Sequence, residues 1–536
     1  MEAYKIVIFA IAGIYMVLNF KHAIQMLQQN SYRIDRYWRY QRDHLADAWV
    51  LVDVALLFLL YSTLLNTEAT SLIVGMAAIT KIFLILRRKF KKPLVFTKRV
   101  WRIYITTCVI PVSGYMALII MGFKGCFSGM WYSGSDDVLI PLGVLLLVTM
   151  FSWMWVILAV WLLKPVEAAI NRKYYNEAAA ILRSKPEMKI IGITGSFGKT
   201  STKHYLHRIL SEEFDTLMTP GSYNTPMGVI RTVRELMRPN HSIFICEMGA
   251  KQLGDIKEIC DLVHPQIGII TAVGAMHLES FKTLENVQRT KFELADALPS
   301  DGLAVINNDF ELCADRKVDN CPSMRYAISN PEAADLRAED IVYTPEGTAF
   351  TAVWADGHRL PLETRLVGES NISNLLAAVA VAHYLGMADD KIRYAVSRIE
   401  QVEHRLSIKQ TPGGVTILDD AFNSNPVGSR MAVDVLAHFK DSGKRIIVTP
   451  GMIELGDKQY ELNRALGKHI GESVDVAVIV GEYNRGALLD GLKEAEFPES
   501  QLHVVDSFAE SQKLLSTMLQ RGDTVLYEND LPDTFK

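Results

Sequence analysis

The chain has 536 residues, of which 22% are charged, and a formal net charge of −4. That length exceeds what one hydrophobic core supports, so three or four domains are expected, and the slight acidity leaves no basic footprint for nucleic acid. A mean hydropathy of +0.13 is high for a soluble chain with this charge content, and the apolar residues crowd into the first third. The six cysteines (Cys108, Cys126, Cys246, Cys260, Cys313, Cys321) include no Cys-x-x-Cys pair, so small buried apolar side chains are expected of them rather than a zinc ribbon or a disulfide framework.

Five apolar stretches, 4–20, 45–65, 71–86, 100–123 and 138–163, approach or exceed the length of about 20 residues that crosses a hydrocarbon core. The third has Lys81 inside it. Lys21, Arg33, Arg36, Arg39 and Arg42 follow the first stretch, and Arg87, Arg88, Lys89, Lys91, Lys92, Lys98 and Arg99 follow the third, whereas 66–70 and 124–137 hold one lysine between them. The positive-inside rule then puts the N-terminus outside and both basic loops in the cytoplasm. Five crossings leave everything after Lys164 in the cytoplasm, where ATP is. A cleaved signal peptide fits poorly, because the first stretch lacks a basic n-region and an Ala-x-Ala exit. Residues 32–42 combine Tyr, Trp and four Arg; they read as an interfacial anchor on anionic membrane lipid, or as a grip for the phosphates of a lipid-linked substrate. Residues 166–183 have helical spacing and stop before Pro186. The expectation is thus a membrane domain over 1–165 and a connecting helix within 166–187.

Next comes Gly192-Ile-Thr-Gly-Ser-Phe-Gly-Lys-Thr-Ser-Thr-Lys203. An apolar run, 188–193, leads into it as a buried strand, and a helical pattern, 202–210, leads out, so the glycines fall at a strand-to-helix turn. Backbone N–H groups of Gly195, Ser196 and Gly198 and the helix N-terminus at Ser201 suit an anion, Lys199 reaches terminal phosphates, and Thr200 offers a hydroxyl to Mg²⁺. The expected ligand is ATP. One position departs from the general P-loop pattern, which has Gly where this chain has Ile193. Further on, 241–247 reads as a buried strand ending in Glu247, and 267–273 as another followed by His277. Side chains just past the C-terminal ends of parallel strands meet ligands, so Thr200, Glu247 and His277 form one candidate Mg²⁺ set. After residue 405, the short apolar runs 415–418, 445–449, 476–480, 502–505 and 524–527 alternate with helical patterns, which predicts a mostly parallel, doubly wound sheet with Asp419 and Asp420 at its ligand edge.

Asn224-Thr-Pro-Met-Gly, Glu247-Met-Gly-Ala, Val273-Gly-x-x-His-Leu-Glu, Thr290-Lys-x-Glu293, Gly368-x-x-Asn371-x-x-Asn374-x-x-Ala-Ala378 and Asp419-Asp-Ala-Phe-Asn-Ser-Asn-Pro426 together resemble the ordered motifs of the Mur ligase superfamily, closest to its MurF-type members. The likeness spans about 188–530. After the helical membrane region read from the apolar stretches, it implies α/β: a central P-loop ATPase domain over 188–405 and a C-terminal Rossmann-like domain over 406–536. It also implies roles. Lys199 would stabilise the transferring phosphate, Thr200 and Glu247 would hold one Mg²⁺ and His277 a second. Lys291 matches the lysine this family carbamylates, which turns a cation into a carboxylate-like metal ligand. Asn374 matches a residue at the adenine, with Asn371 its neighbour; Asp419 and Asp420 lie at the ribose, with Asn423 and Asn425 nearby; Arg405 reaches across to the nucleotide.

The implied activity is an ATP-dependent carboxylate–amine ligase of cell-wall or envelope precursor synthesis, working through an acyl phosphate. Its partners would be a UDP-linked or lipid-linked precursor and an amino acid or dipeptide amine. Two departures bear on the substrates: 527–533 replaces a family stretch that faces the amine, and the apolar third stands where the family keeps its UDP-sugar-binding domain. The rival readings are a poly-glutamate or folate-type ligase and a catalytically idle, ATP-binding membrane scaffold. Intact Lys199, Glu247, His277 and Lys291 argue against the scaffold.

Overall fold

The computed structural model describes residues 2–30, 32–43, 48–61, 67–87, 93–124, 126–127, 136–344, 347–421, 425–439 and 443–531. Among the expectations above, Arg88, Lys89, Lys91, Lys92, Asn423 and the ends of stretch 45–65 lie outside the described residues. The chain divides into two compact units, Met1–Asn171 and Arg172–Leu531.

The first unit is helical: α1 (Glu2–Gln29), α2 (Ile34–Asp43), α3 (Ala48–Tyr61), α4 (Thr67–Arg87), α5 (Lys98–Phe123), α6 (Asp136–Met150) and α7 (Ser152–Arg183), the last running past the unit's end. By length and composition, α1, α4, α5 and α7 are long and apolar enough to cross a membrane, while α3 and α6 carry shorter apolar runs. Phe9, Met16 and Phe20 of α1 pack with Leu60, Tyr115 and Leu142 in the interior. The stretch with Lys81 inside it is one of the four long helices, and the lysine is compensated: its Nζ lies 2.5 Å from Asp53 Oδ1 on α3, with both side chains buried.

Two expectations are corrected here. The predicted fifth crossing, 138–163, is two helices parted at Phe151. The Thr149 carbonyl accepts from Asn19 Nδ2 at 2.8 Å, and the Thr149 hydroxyl bonds back to the Leu145 and Leu146 carbonyls; side chains that enter the i→i−4 ladder in this way bend and weaken a helix. Among the described residues six apolar helices, four of them long enough to cross, replace the five stretches, so the orientation no longer follows from an odd number of crossings. The connecting helix is also not separate. Residues 166–183 are the end of α7, which absorbs Pro165 without stopping.

The second unit holds two sheets. The first has nine strands in the order β2-β3-β1-β4-β5-β6-β7-β8-β9: β1 (Lys189–Thr194), β2 (Thr216–Met218), β3 (Ile243–Glu247), β4 (Ile267–Ile270), β5 (Leu303–Asn307), β6 (Ser323–Ala327), β7 (Leu336–Thr344), β8 (Gly347–Trp354) and β9 (Arg359–Thr364). Pairing is parallel through β7 and antiparallel from β7 to β9. The inner strands read as continuous apolar runs because both faces are covered. Ile191 and Ile193 pack into one core with the helix Glu369–Tyr384, and Ile190 packs into the other with the helix Leu284–Asp296. The second sheet runs β10-β11-β15-β12-β13-β14: β10 (Ser407–Gln410), β11 (Thr416–Asp420), β12 (Arg445–Thr449), β13 (Val476–Val480), β14 (Leu502–Val505) and β15 (Thr524–Glu528). It is parallel except for β10, an antiparallel edge strand that the sequence reading did not include.

Candidate active site

The turn after β1 is built by two close approaches. Gly195, at φ 153°, lies so near Thr271 that a Cβ would sit 2.1 Å from its Oγ1, and Gly198, at φ 82°, faces Asn374 Oδ1 at 2.3 Å; only glycine fits either place. The helix α8 (Lys199–Leu210) starts directly after Gly198, three residues earlier than its apolar pattern suggests. Ile193, the departure from the P-loop pattern, is fully buried in the core, so the loop proper begins only at Gly195. The Ser196 hydroxyl donates to the Gly274 carbonyl at 3.1 Å and ties this turn to the segment after β4. Ser201 is buried on α8.

Lys199 folds back over its own loop, its Nζ donating to the carbonyls of Gly195 at 2.7 Å and Ser196 at 3.3 Å. Burial lowers its pKa to about 8, Glu247 opposes the shift, and Arg405 adds to it. At the end of β3, Glu247 is 1% exposed. Its Oε1 accepts from Thr200 Oγ1 at 3.2 Å and from Asn224 Nδ2 at 3.0 Å, and its Oε2 from Lys203 Nζ at 2.9 Å. Burial disfavours its charge, but the Lys203 and Lys199 ammoniums and these hydrogen bonds outweigh it and hold the carboxyl below its ordinary range. Lys203 is fully buried and also donates to the Gly221 carbonyl at 2.6 Å.

His277 stands at φ 52° just before the helix Leu278–Phe281, and its Nδ1 hydrogen-bonds to Glu454, from the loop after β12. The backbone of the same loop accepts from Glu279 N–H at 3.2 Å. Burial lowers the imidazole pKa despite Glu454, and the Lys251 and Lys291 charges contribute. Lys291 is buried on the helix Leu284–Asp296, its Nζ 5.8 Å from the Phe281 ring centre. Burial first and the Lys199 charge second lower its pKa to about 7. Lys199, His277 and Lys291 therefore share one electrostatic neighbourhood.

From the segment just before β10, Arg405 Nη2 donates to Thr200 Oγ1 at 3.4 Å. Asp420, at the end of β11, accepts from Leu406 N–H at 3.1 Å; burial and the nearby Glu528 raise its pKa to about 7 against the pull of Arg405. Asp419 meets His404 Nδ1 at 2.8 Å. Asn374 accepts from the Thr202 hydroxyl at 3.3 Å. Asn371 is occupied within the fold, accepting from Tyr205 at 2.8 Å and donating to the Val367 carbonyl at 2.9 Å, so it braces α8 against the helix Glu369–Tyr384. Asn425 caps the helix that follows it.

The structure thus brings Lys199, Thr200, Glu247 and Arg405 into mutual contact or electrostatic reach. It adds Lys203 and Glu454, to which the sequence reading gave no role. Lys203 had a signal, since it lies four residues after Lys199 and on the same face of α8; nothing in the sequence says that Glu454 meets His277. The hydroxyl of Thr200 and the buried carboxylate of Glu247 are hard oxygen donors side by side, a set that fits Mg²⁺.

A phosphate-type loop on a parallel sheet, met by Arg405 and the Glu454 loop that flank strands of a second, mostly parallel sheet, defines a nucleotide-dependent α/β enzyme. The family model of the Mur ligase middle domain matches residues 193–382, and that of the Mur ligase glutamate ligase domain matches 404–527. The chain belongs to the Mur ligase family and is an ATP-dependent ligase of the MurF type. It is 32% identical over 316 residues to the UDP-N-acetylmuramoyl-tripeptide--D-alanyl-D-alanine ligase of Escherichia coli K12, covering 58% of this chain and 67% of that protein. It is 30% identical over 362 residues to the ligase of that name from Mycobacterium tuberculosis H37Rv, covering 63% and 70%. Among solved structures, MurF from Acinetobacter baumannii superposes with a TM-score of 0.61 at 26% identity over 67% of this chain and 77% of that one. The MurF ligase from Thermotoga maritima, solved with ADP, shares the fold with a TM-score of 0.59 at 24% identity, covering 67% and 80%.

Proposed function

We propose that this chain joins a carboxylate of a cell-wall precursor to the amine of an amino acid or dipeptide, with ATP activating the carboxylate as an acyl phosphate. The relatives named for ligating D-alanyl-D-alanine to a UDP-muramoyl-tripeptide make that pair the first substrates to try. The observation that carries the reading is the convergence of Arg405 and Glu454, from the C-terminal part, on Thr200 and His277 beside the phosphate loop. In this reading Lys199 leaves its loop carbonyls to hold the transferring phosphate, and the loop N–H groups position the phosphates that stay behind. Arg405 and the Glu454 loop close over the site and keep water from the acyl phosphate. Thr200 and Glu247 would hold one Mg²⁺ and His277, with a carbamylated Lys291, a second; bound there, the ions would supply positive charge to the phosphates. An amine with a pKa near 7 is substantially neutral at neutral pH, and only the neutral amine adds CO₂.

The apolar helices are proposed to anchor the protein in the cell membrane. ATP places the catalytic part in the cytoplasm, and the basic segments after α1 and α4 belong on the same side. The deciding experiment is ADP release by the purified full chain. It should require both a muramoyl-peptide acceptor, UDP-linked or lipid-linked, and D-alanyl-D-alanine or another amine. ADP release indifferent to every acceptor and amine would refute the ligase chemistry proposed here.

A further inference from the structure

Within the first unit, α2, α5 and α7 frame a cavity of about 490 Å³. Ile103, Ile157, Val160 and Trp161 make one end apolar, and Arg99, Lys164 and Glu167 make the other charged. The division comes from the helices themselves. α7 is apolar through Leu163 and charged from Lys164 on, while α5 carries Lys98, Arg99 and Arg102 before its apolar run begins at Ile103. Residues 157, 160, 161, 164 and 167 recur at helical spacing, so a single face of α7 passes from hydrocarbon to charge inside the cavity. In a bilayer, that change marks the boundary between acyl chains and headgroups, and Trp161, 68% exposed, is the residue type that sits there.

The charged end is positive on balance. Arg102 Nε donates to Glu167 Oε1 at 2.7 Å, and Arg99 Nε stands 3.8 Å from Oε2, too far for a hydrogen bond. Arg99 is steadied by the Tyr32 ring, 4.3 Å below its guanidinium. Its Nε is buried and has no hydrogen-bond partner among the described residues. Glu167 thus sets one negative charge against three cations, and Arg99, whose side chain is 41% exposed, keeps an Nε with no hydrogen bond among the described residues. A phosphate oxygen would meet both demands, and the apolar end is shaped for a hydrocarbon chain.

We propose that this cavity is a single-lipid site for a phosphate-headed amphiphile, with the phosphate on Arg99 and Lys164 and the chain along Ile103, Ile157, Val160 and Trp161. The site rests on the membrane placement proposed above and is independent of the ligase chemistry. The test uses the full chain, extracted from alkali-washed membranes into a neutral maltoside detergent, with dodecyl phosphate as probe and native mass spectrometry as readout. One dodecyl phosphate per chain is expected, and Arg99→Gln and Lys164→Gln should each weaken its retention by about five-fold. Lys164 is exposed, so its substitution leaves packing intact and keeps the test decisive should Arg99→Gln fail to fold. Lys124→Gln, at the far end of α5, should change nothing. Retention unchanged in Lys164→Gln, or inorganic phosphate or dodecyltrimethylammonium held as tightly as dodecyl phosphate, would overturn the site. A chain that alkali washes out of the membrane would overturn the placement instead.

Discussion

Lys199 spends its donors on two carbonyls of its own loop, so binding nucleotide means exchanging those carbonyls for phosphate oxygens. Lys199→Ala should lower turnover by roughly 10²–10³, the usual cost of a lost charge-stabilising donor, with melting unchanged; a coupled ADP assay reads the first and calorimetry the second. Lys203 is the opposite case. It is buried against Glu247, and Lys203→Met would leave that carboxylate without its counter-charge, at a cost of about 3–5 kcal/mol, to be measured by urea unfolding. Lys291 couples stability to pH. Its pKa falls from 10.5 to about 7 on folding, so between about pH 7 and 10 the unfolded chain holds a proton that the folded chain lacks, and stability rises with pH across that window. Lys291→Met should flatten the rise and abolish ligation, while stripping CO₂ and bicarbonate should lower the activity of the unaltered chain alone. The sequence marked Thr200, Glu247 and His277 because strand ends and a βα order suffice to locate them. It could not give Lys203 or Glu454 a role, because a buried partner is defined by what folds over it.

Helices α3 and α4 meet through Lys81 and Asp53. Asp53→Leu alone should cost the extracted chain about 3–5 kcal/mol, because it removes the carboxylate opposite a buried ammonium, whereas Asp53→Leu with Lys81→Met should recover most of the loss. Thermal melting of the unaltered chain, the two single variants and the double in detergent gives the coupling directly. At this scale the sequence was most legible where contacts are local. The runs 445–449, 476–480 and 502–505 coincide with β12, β13 and β14, since a short apolar run between turns in a βα alternation has few other fates. It was least legible where a distant residue decides. The break at Phe151 follows a Thr149 carbonyl that accepts from Asn19, 130 residues earlier in the chain, and β10 is a strand because β11 offers it an edge; its own sequence, Ser407–Gln410, has a single apolar residue, Ile408.

Taken whole, the second unit draws the groups proposed to meet the nucleotide from segments beside both of its sheets. Arg405→Ala or Glu454→Ala should therefore depress turnover without weakening either core, and Glu454→Ala should return the His277 imidazole to solvent, visible as a shifted titration by NMR. Legibility at this scale was uneven too: the family motifs disclosed both ligase domains, while the helical unit, with no such motifs, showed only its apolar runs. The contacts across residues 398–404 have a consequence for the gene. A reading frame cut there would yield two fragments, one with the phosphate loop and His277, the other with Arg405 and Glu454, and neither would encode a complete site. Activity should return only on co-expression. Any exchange of the C-terminal part between relatives must carry partners compatible with Thr200 and His277, which favours inheritance of the two domains as one heritable cassette.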